Sequence, residues 1–215
     1  QSHADGRLSE DEYRWLTMRA KGGFGLTMTC ASHVQKIGQG FAGQLGIFSD
    51  QHIQGHQRLA QGIQDHGSLA VIQLHHAGMR SPKDLIGEQP VCPSPDQDTQ
   101  SRGLSLSEVK QLRDDFIAAA IRAQRSGYDG VEIHGAHGYI LCQFFSAQYN
   151  RRDDDYGGSL QNRWRLIIEI LRQVRSSCGL DFLVGLRLSP ERFGMERSEC
   201  VALCQHVIDH ALVDF

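Results

Sequence analysis

The segment His134-Gly-Ala-His137-Gly-Tyr139 concentrates two imidazoles and a phenol within six residues. Two N–H donors converging on one oxygen stabilise negative charge that develops there, as an oxyanion hole does. Tyrosine has a reference pKa of about 10, so it keeps its proton at neutral pH and releases it to a strongly basic carbanion or enolate. A site of this kind needs something to attack the conjugated end of its substrate. No activated Ser or Cys nucleophile is evident, and hydride from a cofactor would serve. Tyr139, His134 and His137 are therefore the catalytic candidates, with the two histidines also the substrate-binding ones. Two blander readings compete. His134 and His137 could ligate zinc with His75, His76, Glu132 or Asp153-Asp154-Asp155, as in a hydrolase. However, Glu132 alternates with Ile133 inside a strand, and an Asp triplet in a loop is usually a solvated or capping cluster. Alternatively, both imidazoles merely satisfy buried polar groups.

Gln73 and Arg187 extend the first reading. Each is a polar residue in an otherwise apolar strand run, Ile72-Gln73-Leu74 and Leu186-Arg187-Leu188. A planar amide and a guanidinium facing one pocket suit the edge of a heterocycle bearing carbonyl and imide groups. Arg187 would also stabilise a ring that becomes anionic on reduction; its bland alternative is a buried ion pair. Gly38-Gln-Gly40-Phe-Ala-Gly43 matches G-x-G-x-x-G in letters only. The strand before it ends near Thr29 and the next helix starts near Asp50, so a flexible loop is expected rather than a dinucleotide site.

These residues need elements to hold them, and the chain alternates helix with strand. A first helix follows the capping box Ser9-x-x-Glu12, buries Tyr13, Leu16 and Ala20, and stops at Gly22-Gly23. The strand Phe24–Thr29 follows, then a helix over about 51–66 with Gly67 as its stop, then the strand Leu69–Leu74. Ser105-x-x-Glu108 opens the clearest helix, with Val109, Leu112, Phe116, Ala119, Ala120 and Ala123 on one stripe. After it come the strand Tyr128–Ile133, a long loop from about 142, a helix from Ser159, the strand Phe182–Leu188 and a helix over about 198–210. Val213-Asp-Phe215 reads as the start of another strand. Ser81–Ser101 reads as a second long loop. Loops of that length in an α/β chain are usually functional.

Repeated αβ units with nearly continuous apolar strands predict a parallel sheet covered by helices, either doubly wound or part of an eight-fold barrel. A whole (β/α)₈ barrel needs about 250 residues. The chain has 215 and opens with a helix. On the barrel reading it covers strands 2 to 5 and the start of strand 6, as one partial domain over 1–215 that lacks the first strand and the last third. Lys and Arg number 22 against 25 Asp and Glu, a net charge of −3 without a basic block, so nucleic acid is not an expected partner. No apolar run nears the roughly 20 residues needed to cross a bilayer, and no signal peptide pattern opens the chain. Cys30, Cys92, Cys142, Cys178, Cys200 and Cys204 form no C-x-x-C pair, which favours reduced thiols in a cytoplasmic protein over a metal site.

Four segments, AKGGFGLTMTCA, QLHHAG, DGVEIHGAHGYILCQFFSAQYNRRDDDYGGSLQNR and VGLRLSPERFG, resemble the old yellow enzyme family of FMN-dependent NADH:flavin oxidoreductases and ene-reductases. The third is the most specific. It is similar to H-x-A-[HN]-G-Y, then Q-F, then N-x-R-x-D-x-Y-G-G-S-x-x-N-R, with Asn150, Arg152, Asp154, Tyr156, Gly157, Gly158, Ser159, Asn162 and Arg163 all matching. The resemblance implies a (β/α)₈ barrel holding FMN, with NADH or NADPH as reductant and an activated alkene as the small-molecule substrate. It implies that His134 and His137 bind the substrate's carbonyl or nitro oxygen and that Tyr139 protonates the α-carbon. It gives Gln73 and Arg187 to the flavin ring, Ala31 to a backbone contact with the flavin, and the N-x-R-x-D segment to holding loop and helix, with Ser159 as a cap. A homo-oligomer is compatible with it, as is a catalytically silent relative. The family usually has H-A-G-R, whereas here Met79 follows Gly78 and Arg80 comes one later; Ala147 stands where proline is common.

Overall fold

Four short runs of apolar, partly β-branched residues become four parallel strands, and the segments between them supply the helices. The computed structural model describes residues 1–215. In chain order the elements are α1 (Glu10–Lys21), β1 (Leu26–His33), α2 (Ile53–Gln64), β2 (Leu69–His75), α3 (Lys83–Ile86), β3 (Val91–Cys92), β4 (Arg102–Gly103), α4 (Leu106–Arg125), β5 (Gly130–Gly135), α5 (Ile140–Phe145), α6 (Leu160–Cys178), β6 (Leu183–Leu188) and α7 (Arg197–Asp209). The main sheet runs β1-β2-β5-β6, and β3 and β4 form a separate two-stranded sheet. Each main strand lies beside the one before it, without the reversal of order that a doubly wound sheet requires.

The two faces of the sheet differ in chemistry. Ala70, Ile72 and Leu74 of β2, Val131 and Ile133 of β5 and Val184 of β6 join Leu59, Ile63, Val109, Leu112, Phe116, Ile167, Ile170 and Leu171 of the helices in one core. Alternation sends the intervening residues to the opposite face. There the ladders set Gln73 opposite Glu132, Glu132 opposite Gly185 and His134 opposite Arg187. A helix-covered apolar face and a polar inner face are the arrangement of a barrel wall. The last residues continue the wall: the Asp214 N–H donates to the Val184 carbonyl at 2.7 Å, and the Leu186 N–H donates to the Phe215 carbonyl at 3.1 Å. The expected strand start at 213–215 is thus laddered to β6.

Several expectations needed correction. The strand expected to end at Thr29 runs on to His33, with a bulge between Met28 and Ala31. The loop expected from about 142 begins inside a helical turn, α5, whose six residues are all buried. Ser81–Ser101 holds α3 and β3. The Ser105–Glu108 capping box forms reciprocally. Ser9 caps α1 by accepting from the Glu12 N–H at 3.1 Å, but the Glu12 carboxylate turns inward to the Ser2 hydroxyl and the Cys30 thiol. The Gly38–Gly43 loop is pinned, not flexible. Its Gly38 carbonyl accepts from Ala77 N–H at 2.8 Å, and a Cβ on Gly38 would run into the His76 ring.

Candidate active site

Strands β2, β5 and β6 bring His75, His134 and Arg187 to one end of the polar face, with Gln73 and Glu132 one row below. That end is the carboxyl end of parallel strands, where α/β proteins place their chemistry. Beyond β5 the chain turns through His137 at φ 59° and Gly138 at φ 71°, both left-handed. For a non-glycine residue this conformation is strained and held by its surroundings. Here the His137 N–H donates to Ser189 Oγ at 2.9 Å, and its carbonyl accepts from Arg80 Nη1 at 2.5 Å. The buried Gln143 amide ties the same turn to the one after β2, donating to the Gly138 carbonyl at 2.7 Å and accepting from the Met79 N–H at 3.3 Å. The turn swings Tyr139 back over β2, so that its ring meets His75 edge-on at 4.3 Å and His134 at 5.0 Å between centroids.

The hydrogen bonds fix the histidine tautomers. The Ala136 N–H donates to His134 Nδ1 at 3.3 Å, so a neutral His134 carries its proton on Nε2. That Nε2 lies 3.2 Å from His137 Nδ1, which leaves the His137 proton on its own Nε2, at the half-buried end of the pair. The two imidazoles are in series, not side by side. Burial, then the neighbouring His137, pushes the pKa of His134 down to about 3. Burial, then the Arg187 and Arg80 cations, also lowers that of His137. Both imidazoles are neutral at pH 7. His75 is buried and neutral as well. Its Nδ1 accepts from the Gln44 amide at 3.1 Å, and its Nε2 has no partner.

Gln73 donates its amide nitrogen to Glu132 Oε1 at 2.5 Å. Arg187 lies on the same face, opposite His134, and forms no ion pair with a carboxylate of residues 1–215. Ala31 pairs with Gln73 across β1 and β2, and its carbonyl accepts from Gln44 Nε2 at 2.7 Å. The residues weighed as further zinc ligands scatter. His76 is committed to Gln35 and to the Gly78 N–H, Asp154 to Arg152, and Glu132 to Gln73. No group of three His, Cys, Asp or Glu residues is arranged to hold a metal ion. All six cysteines are free thiols, four of them buried.

The charged segment after α5 fastens the scaffold. Asn150 donates to the Phe144 and Tyr156 carbonyls at 2.6 and 2.7 Å, and Arg152 reaches the Pro93 and Leu104 carbonyls at 2.8 and 2.5 Å. Buried Arg163 forms a two-pronged ion pair with Glu199 and caps the Phe145 carbonyl. Ser159 caps α6 through the Asn162 N–H at 3.3 Å. Sequence reasoning missed Gln44, met Arg80 only as a displaced arginine and Gln143 only as part of the Q-F match, and took Glu132 only as a metal candidate. Glu132 did carry a signal: in Val131-Glu-Ile-His134 the polar residues sit two apart, hence on one face.

A family model described as NADH:flavin oxidoreductase / NADH oxidase matches residues 1–212. The chain belongs to that family. It is 40% identical over 198 residues to a probable NADH-dependent flavin oxidoreductase of Bacillus subtilis, covering 88% of this chain and 53% of the relative. It is 36% identical over 198 residues to an NADH oxidase of Thermoanaerobacter brockii, covering 89% of this chain and 30% of that protein. The structure of an old yellow enzyme homologue from Zymomonas mobilis superposes with a TM-score of 0.88 at 30% identity, over 98% of this chain and 63% of the other. The chain therefore spans between about a third and two thirds of the length of these relatives, and its fold is the corresponding part of a (β/α)₈ barrel. No helix is long and apolar enough to cross a membrane.

Proposed function

We propose that the protein carrying this chain is an FMN-dependent oxidoreductase that uses NADH or NADPH to reduce an activated alkene, such as an α,β-unsaturated carbonyl compound. The observation that carries the reading is the cluster at the end of β5. Two neutral imidazoles stand in series, the His134 Nε2–H donating to His137 Nδ1 and the His137 Nε2–H left without a partner, and beside them a half-buried tyrosine has a hydroxyl that no group of the chain engages. Hydrogen-bond donors fixed in advance at an oxygen favour charge developing there without reorganisation. His137 Nε2–H binds the substrate's carbonyl oxygen, and that oxygen competes with His137 Nδ1 for the His134 proton. Tyr139 Oη then gives its proton to the α-carbon. Arg80, with its guanidinium 5.0 Å from the Tyr139 ring centroid, holds the phenol and the turn together.

The inner face suits a flavin. Gln73 keeps one pole of its amide free, and Arg187 offers a guanidinium with no carboxylate beside it; together they match the polar edge of a heterocyclic ring, with the backbone of Ala31 close by on β1. When bound, FMN supplies what the side chains lack, accepting a hydride from NADH or NADPH and delivering one to the β-carbon of the alkene. The substrate is a small molecule, and residues 1–215 form one partial barrel domain. The free thiols accord with a cytoplasmic protein, and a homo-oligomer is compatible with the exposed outer helices.

The test is to isolate the full-length protein and record its visible spectrum, its metal content and its oxidation of NADH or NADPH with and without an unsaturated ketone. A flavin band near roughly 450 nm with alkene-dependent turnover supports the reading. Stoichiometric zinc without flavin, or flavin with no alkene reduction, overturns it.

A further inference from the structure

Glu132 is a buried carboxylate in the middle of a strand, and its one side-chain hydrogen bond is to Gln73. The β2–β5 ladder puts the two residues directly opposite each other on the inner face. On its other side Glu132 faces Gly185, which has no side chain to reach it. In the bond to Gln73 the carboxylate oxygen is the acceptor and the amide nitrogen the donor. Glu132 therefore engages the Gln73 amide through nitrogen alone, at 2.5 Å, and the amide oxygen is turned the other way. No donor of the chain meets that oxygen.

Resting on the flavin reading above, we propose that Glu132 is a positioning residue. It touches no part of the cofactor itself, but it fixes the Gln73 amide with its oxygen toward the ring, so that Gln73 reads an imide N–H and not a carbonyl. A flavin ring carries a single N–H flanked by two carbonyl oxygens on its polar edge. A glutamine free to rotate end over end pairs with either kind of group. One anchored by a carboxylate pairs with the donor only, because reversing it sets oxygen against oxygen on one side and N–H against N–H on the other. Leaving buried polar groups unmatched in this way costs about 1–3 kcal/mol, which is roughly a tenfold to hundredfold loss of affinity. Arg187, a pure donor, is then left to the carbonyl side, which divides the recognition between two strands.

The experiment uses the full-length apoprotein, titrated with FMN and with 3-deaza-FMN, in which a CH₂ group replaces the imide N–H with little change in bulk. Wild-type protein should bind FMN about tenfold more tightly than the analogue. In Glu132→Gln the partner can donate as well as accept, so Gln73 is free to turn and the preference should fall below about threefold. Glu132→Leu, which removes the anchor altogether, should lose the preference in the same way. A second readout is the imide proton of ¹⁵N-labelled FMN: slow to exchange when bound to wild type, fast in both variants. No preference in the wild type, or a preference undiminished in the variants, overturns the role of Glu132 while leaving flavin binding intact. Wild-type protein that binds neither compound overturns the flavin reading, and this one with it.

Discussion

The turn after β5 and the segment after α5 are neighbours in sequence and opposites in use. The second is crowded with charge, Asn150-Arg-Arg-Asp-Asp-Asp-Tyr156, yet Arg151, Arg152 and Asp154 are spent on carbonyl oxygens and on each other. The first, His134–Tyr139, holds two imidazoles whose pKa values burial lowers, and in it an imidazole N–H and a phenol O–H stay without a partner in the chain. Density of charged residues marks where the scaffold is fastened. Available N–H and O–H groups mark where the proposed function needs a ligand to be handled.

Substitutions should separate these two kinds of region. The largest effect is expected from Tyr139→Phe in the full-length enzyme. Loss of a general acid slows alkene reduction by about 10²–10⁴, while reduction of the flavin by NADH or NADPH, which needs no proton on carbon, stays nearly unchanged. Stopped-flow measurement of the two half-reactions checks this, and equal losses in both would remove Tyr139 from the role of acid. Unfolding midpoints should barely move.

Arg163→Met should do the reverse. It strands Glu199 and uncaps the Phe145 carbonyl beneath α5. Breaking a buried pair from one side costs about 3–5 kcal/mol, and the lower figure applies because Glu199 is partly exposed. Denaturant unfolding would show the loss. Unchanged stability would mean that the charged segment fastens less than its bonds suggest.

Acid should separate the regions by pH. Burial is the first cause lowering His33 and His56 to about 4 and His76 and His134 to about 3. In the unfolded chain each titrates near about 6.5. Their folded values are depressed, so between the two values the unfolded state binds the extra protons, and stability is complete above about pH 6.5 and declines below it. Each histidine should cost about 1 kcal/mol between pH 6.5 and 5.5. Asp154, held below the ordinary carboxylate range by Arg152, keeps its contribution until the pH falls under that range. Stability that is flat from pH 6.5 to 5.5 would mean that these histidines are not buried neutral. The smallest effect belongs to Ser159→Ala, which removes the α6 cap at a cost of about 1 kcal/mol in the same unfolding assay.

What could be read from the sequence was local, and what could not was tertiary. Ser105 and Glu108 announce the start of α4 because both halves of the capping box lie within one turn. Ser9 and Glu12 present the same letters, but Glu12 has better partners in Ser2 and Cys30, which only folding brings near. The motif His134-Gly-Ala-His137-Gly-Tyr139 could be found as a string. Its dependence on Arg80 and Gln143, more than fifty positions earlier for one and reaching back to the β2 turn for the other, could not. α5 stayed hidden because it is only six residues long and all six, Gln143 included, are buried, so it shows no exposed face. Gln73 and Arg187 stood out as polar interruptions, whereas the partner that orients Gln73 became visible only when β2 and β5 paired.

Every ladder among β1, β2, β5 and β6 joins residues more than forty positions apart, from Leu26 with Leu69 to Val71 with Gly130. Parallel pairing of this kind closes large loops before it is rewarded, so it forms slowly. The helices can gather early from local signals, but the meeting of Gln73 with Glu132 and of His75 with Tyr139 must wait for β2 and β5 to lie side by side. Binding competence should therefore arrive late in refolding, after most of the helical signal has returned. A flavin in solution has no partly built site to seize on the way.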